Sequence, residues 1–191
     1  MNELKKRILE ISKKLKLAHV GSNLSAVDII DEIYKKKKYN DIFVLSSGHA
    51  HLAHLVVRFK AVGHISYIIE KFGIHCDIKA DCTVSTGSLG HGLPIAVGMA
   101  LADRKRQVYC LTSDGEWMEG SMWEAIRIAE QLKLKNLHIT VNANGYGGMK
   151  PINSEDLLDK LMGFNFYCDL EFIRTDNKPL SGLKAHYERV I

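Results

Sequence analysis

Residues 107–148 read QVYCLTSDGEWMEGSMWEAIRIAEQLKLKNLHITVNANGYGG, one strand, one helix and a second strand, with polar residues at both strand exits. Val108 to Thr112 is short, apolar and partly β-branched, and it stops at Ser113-Asp114-Gly115, a composition that ends strands in turns. From Glu119 to Leu132 the apolar residues Met122, Ala125, Ile126, Ala129 and Leu132 recur at spacings of three and four, the period of a helix with one buried face. Leu137 to Val141 then forms a second strand. Strands joined through a helix are expected to be parallel with a right-handed crossover, so both end on the same side of the sheet and Asp114 and Asn144 become neighbours.

The crevice beyond the carboxyl ends of parallel strands is where α/β folds bind ligands, and this pair offers it a carboxylate and an amide oxygen. Magnesium and calcium take such hard oxygen donors, and magnesium in a site with few protein ligands is usually completed by phosphate. Gly115, Gly145, Gly147 and Gly148 leave the backbone free to approach that phosphate. Asp and Asn are also ordinary turn formers, so composition alone leaves both readings open.

The detailed pattern resembles the thiamine diphosphate motif of the transketolase family: Asp114-Gly115, Met118-Glu119-Gly120, Trp123-Glu124-Ala125 and then Asn144. The resemblance implies Asp114, Asn144 and the carbonyl of Tyr146 as ligands of Mg2+ or Ca2+, with Gly115, Glu116 and Asn144 among the cofactor contacts. It also implies that Glu119 links two active sites across an interface between subunits. Ser113 stands where the family usually has glycine, and Asn142 where aspartate is common.

Outward from this unit, 191 residues with 46% apolar and 25% charged content describe one globular domain with a substantial core. The net charge of +4 comes largely from lysines near the amino end, including Lys35 to Lys38, with no stacking aromatics or nucleic-acid module beside them. Cys76, Cys82, Cys110 and Cys168 form no C-x-x-C pair and no familiar zinc spacing, and read as free thiols of a reducing compartment. No apolar run has the length of a membrane span, and no signal peptide opens the chain, so a cytoplasmic protein is expected.

Leu4, Ile8, Ile11 and Leu15 mark a first amphipathic helix. A second is expected to start at Ser25 as N-cap, with Asp28 completing a capping box. His19-Val20-Gly21 before it resembles the His-x-Gly turn of transketolases, while Gly21-Ser22-Asn23-Leu24 is similar to deoxyxylulose phosphate synthase. Ile42 to Leu45 reads as a strand ending in Ser46-Ser47-Gly48-His49, similar to the family's Ser-x-Gly-His, followed by a helix to about Val62 and another over Ile65 to Phe72. On the resemblance His19 contacts substrate or cofactor, His49 reaches both, and His75, in a shorter loop than the family's, presents a further substrate-side imidazole. Ser85 to Met99 is a glycine-rich turn running into a helix of small residues. The resemblance implies cofactor contacts through Gly87, Leu89 and Gly90, and places His91 where the family has glutamine. Ser154 is expected to cap a helix through Leu161, followed by a strand at Glu171 to Arg174 and a closing helix over Leu180 to Val190.

Four motifs in family order, spread over Leu4 to Phe166, imply a doubly wound, mainly parallel α/β sheet flanked by helices, binding thiamine diphosphate through its diphosphate end. The expected function is transfer of a two-carbon ketol unit between sugars or sugar phosphates. The alternatives are decarboxylating carbon ligation, as in deoxyxylulose phosphate synthase, and a non-catalytic regulatory subunit. The resemblance further implies that residues 1–191 form a single diphosphate-binding domain, cut short at its carboxyl end, with pyrimidine-binding and C-terminal domains on a separately encoded partner in a heterotetramer.

Overall fold

The structure is a computed structural model that describes residues 1–164, 167–176, 178 and 180. The elements run α1 (Glu3–Leu15), α2 (Val20–Lys36), β1 (Ile42–Leu45), α3 (His51–Arg58), α4 (Val62–Phe72), α5 (Gly92–Ala102), β2 (Val108–Ser113), α6 (Gly120–Gln131), β3 (Leu137–Ala143), α7 (Ser154–Met162) and β4 (Asp169–Arg174). The four strands form one parallel sheet in the order β1-β2-β3-β4, with Ser113 in register with Asn142. The expected α/β sheet flanked by helices is therefore present.

Alternate residues of the strands enter two cores. Phe43, Leu45 and Leu111 pack with Ile8, Ile11, Leu24, Ile30, Leu55 and Ile65 on one face. Val44, Val108, Cys110, Ile139 and Val141 pack with Leu93, Met122, Ile126 and Leu161 on the other. A parallel sheet covered on both faces is why its strands read as apolar runs rather than as alternating patterns. Each fully buried Leu or Ile contributes about 1.5–3 kcal/mol of transfer free energy, so both layers clamp the strands.

Three boundaries differ from the sequence expectation, each for a local reason. Helix α2 begins at Val20, after a left-handed His19 (φ 57), and not at Ser25. Asn23 ties its first turn by donating to the His19 carbonyl (2.8 Å). The Ser25 hydroxyl instead donates to the Ser22 carbonyl (3.1 Å) inside the helix. Helix α3 stops at Arg58 because Arg7 donates to the carbonyls of Val56 (2.9 Å), Phe59 (2.7 Å) and Lys60 (3.1 Å), meeting by side chain the acceptors a helix end leaves open. The cap of α7 is Asn153, whose side chain accepts from the N–H groups of Glu155 and Asp156, so Ser154 is the first helical residue. The expected closing helix at Leu180 to Val190 lies, beyond Leu180, outside the described residues.

Candidate functional site

The exits of β2 and β3 meet as the parallel pairing requires. Asp114 is fully buried, and its two carboxylate oxygens accept from the N–H groups of Gly115 (2.9 Å) and Gly145 (2.6 Å). Burial pushes its pKa up from 3.8 to about 6, against the pull of those backbone donors. Among the described residues no basic side chain forms an ion pair with it. A buried carboxylate in this position is a site for a cation. Beside it, the Asn144 oxygen accepts from the Tyr146 N–H (2.9 Å), and the Asn144 amide donates to the Ser25 hydroxyl (3.3 Å). Ser25 also accepts from Asn142 (3.0 Å). The hydroxyl thereby fixes which way the Asn144 amide faces, a role that the cap reading of Ser25 missed.

Above this pair lies a cavity of about 190 Å³, lined by His19, His49, His75, Gly87, Leu89, Ser113, Gly115, Asn144 and Tyr146 to Gly148. At Gly115 a Cβ would stand 3.1 Å from the Gly147 Cα, so the two strand exits touch backbone to backbone. The His19 ring lies 5.5 Å from that of His49 and 5.5 Å from that of His75, which brings three separated histidines into one group. Partial burial, and then the nearby His51, hold the His75 pKa below its ordinary value, which keeps that ring neutral and able to accept a proton.

The family model of the thiamine pyrophosphate enzyme C-terminal TPP-binding domain matches residues 63–159, the span that carries the glycine turn, Asp114 and Asn144. One of the two subunits of the apulose-4-phosphate transketolase of Actinobacillus succinogenes is 34% identical over 197 residues, covering 83% of this chain and 70% of that protein. The chain belongs to the transketolase family.

Another relative, the 6-deoxy-6-sulfo-D-fructose transketolase subunit SqwG of a Clostridium species, is 32% identical, with 87% of this chain and 70% of that protein covered. The crystal structure of Campylobacter jejuni transketolase superposes with a TM-score of 0.70 at 20% identity over all of this chain, which spans 41% of that longer one. The transketolase fold thus extends along the whole chain.

Not every transketolase-like site residue joins the cavity. Glu116 is completely buried behind it and accepts from the Ser46 hydroxyl (2.6 Å), the Ser113 N–H (3.0 Å) and the Gly90 N–H (3.3 Å). It braces the walls of the cavity rather than lining it. His91 is exposed at the start of α5, in a separate groove with Gly90, Pro94 and Ser121. Glu119 is exposed at the cap of α6, against the backbone turn of Gly90. Behind the histidine group sits a second cluster that the spacing of the cysteines did not disclose, His51, His54, Cys76 and Cys82. Its one sequence signal is His-x-x-His, a spacing of three that puts both imidazoles on one helix face. Among the described residues no helix is long and apolar enough to cross a membrane.

Proposed function

We propose that this chain binds thiamine diphosphate and a divalent cation, Mg2+ or Ca2+, as the diphosphate-binding half of a split transketolase that transfers a two-carbon ketol unit between sugars. The observation that carries this reading is the buried, cation-less Asp114 carboxylate beside the Asn144 oxygen, beneath a cavity walled by glycine backbone. Asp114, Asn144 and the Tyr146 carbonyl would hold the cation, and the backbone of Gly115, Gly147 and Gly148 leaves room for a diphosphate. Gly87, Leu89 and Gly90 would meet the cofactor through their main chain. When bound, the cofactor supplies the carbon–carbon bond chemistry.

The chain's own contribution is orientation and proton movement. His19, His49 and His75 face one space, where imidazoles bind substrate hydroxyls and exchange protons with the reacting group. Glu119 stands exposed where contact with a partner chain would bury it. Relatives whose names make them single subunits of larger transketolases support a separately encoded partner that completes the site, in a closed assembly with twofold symmetry.

The test uses the chain purified with its partner, and calorimetric titration of thiamine diphosphate with and without Mg2+. Asp114→Ala and Asn144→Ala are expected to abolish the metal-dependent part of binding while the fold survives, because each removes one of few oxygen ligands. Undiminished binding by the double variant would falsify the metal site. Ketol transfer is expected from the pair and not from the isolated chain, and full activity of the isolated chain would remove the split-enzyme reading.

A further inference from the structure

The second cluster lies behind the histidine cavity, in the layer between α3 and the segment that leads to the glycine turn. His51 and His54 project from α3, and Cys76 and Cys82 flank the short helical turn at Ile78–Ala80. All four side chains are buried, at 0%, 3%, 4% and 9% exposure, and one donor atom from each lies within 4.8 Å of all the others. Two soft sulfurs and two imidazole nitrogens converging out of contact with water are an unusual content for a hydrophobic core. Free thiols pack there readily, but two imidazoles need partners.

We propose that His51, His54, Cys76 and Cys82 form a structural zinc site. A zinc tetrahedron with bonds of about 2.0–2.1 Å to nitrogen and about 2.3 Å to sulfur has edges of about 3.3–3.8 Å. The His54 Nδ1 to Cys82 Sγ separation of 3.8 Å already matches such an edge, and the remaining donors need to draw in by about an ångström at most. His51 supplies the independent observation. Fully buried, it has no hydrogen-bond partner at either ring nitrogen, a deficit that coordination of one nitrogen would relieve.

His54 is oriented as a ligand should be. Its Nε2 lies 2.7 Å from the Tyr34 hydroxyl, so with Nδ1 on the metal the Nε2–H donates to Tyr34 Oη. Such an outer partner fixes the tautomer and the ring plane. The set Cys2His2 with four protein donors leaves no open position, which separates it from a hydrolytic zinc centre and from the oxygen-rich site at Asp114.

The location gives the metal a task. Cys76 follows His75 directly, and its N–H donates to the Gly48 carbonyl (3.1 Å), beside His49. The Cys76 carbonyl in turn accepts from the Thr86 N–H (3.1 Å), next to Gly87. A zinc ion joining Cys76 and Cys82 to α3 would therefore hold three cavity-lining turns in place from behind, without touching the cavity.

Elemental analysis of the full chain, expressed with zinc in the medium and purified without chelator, tests this directly. The expected result is about one zinc per chain, retained by Asp114→Asn and lost by the double variant Cys76→Ser/Cys82→Ser. Cobalt exchanged into the wild-type chain is expected to show the intense visible bands of tetrahedral thiolate coordination, a readout that does not depend on any variant folding. Tyr34→Phe, which keeps the ring, is expected to weaken zinc by about 10–100-fold in competition with a chromogenic chelator. A zinc-free chain whose reduced thiols give no cobalt–thiolate absorbance would overturn the proposal. So would a purified chain in which Cys76 and Cys82 are joined as a disulfide, read as the loss of two hydrogens by mass.

Discussion

Asp114→Asn, studied in metal-free protein across pH, isolates the energetic cost of the buried carboxylate. Raising its pKa from 3.8 to about 6 disfavours the ionised form in the fold by about 3 kcal/mol, at about 1.4 kcal/mol per pH unit. An acid whose pKa is higher in the fold holds its proton more tightly there. Its contribution is therefore fully present below the unfolded pKa and is lost as pH rises through the folded one. Between about pH 4.5 and about pH 7.5 the linkage relation gives about 2 of those 3 kcal/mol. The amide replacement also misaligns one hydrogen bond with Gly115 or Gly145, but that offset does not vary with pH. Urea unfolding of both proteins in chelator, over this range, is expected to show the variant gaining about 2 kcal/mol on the wild type as pH rises. Adding Mg2+ with thiamine diphosphate at the upper pH is expected to restore the wild type and leave the variant unchanged. A stability gap that stays constant with pH would refute the claim that Asp114 carries an unmet charge.

Two further substitutions probe the walls of the cavity. Glu116→Gln places an amide among the donors of Ser46, Gly90 and Ser113, and is expected to destabilise the fold by about 1–3 kcal/mol; denaturant unfolding measures this, and an unchanged midpoint would show that the brace is dispensable. Gly87→Ala adds a Cβ 2.9 Å from the His75 ring at a backbone φ of +141, and is expected to reduce ketol transfer by the assembled enzyme well before the thermal midpoint moves, whereas equal losses of both would place the effect in folding alone.

The strand, helix, strand unit was legible because its apolar periods switch cleanly at Ser113 and again near Lys133, and parallel pairing then forces Asp114 against Gly145. The three cavity histidines were legible only through family resemblance, since each is a lone histidine in its own turn. Helix starts were misread where a side chain had a better partner elsewhere: Ser25 serves two asparagines of β3 and its exit, and Asn153 outcompetes Ser154 for the same orphan N–H groups. The cluster of His51, His54, Cys76 and Cys82 was hidden for a different reason. Its members are drawn from a helix and a loop that only tertiary packing brings together, and no ligand spacing along the chain announces them.

The buried carboxylate of Glu116 has a consequence for how the two halves of an enzyme could be made separately. It gathers the turn after β1, the turn before α5 and the turn after β2 onto one point, with no ligand or second chain taking part. The conformational entropy of three loops is thus surrendered while this chain folds, not when it captures cofactor or meets another polypeptide. A polypeptide organised this way reaches its partner with a surface already in final shape, and the free energy of association can go into affinity.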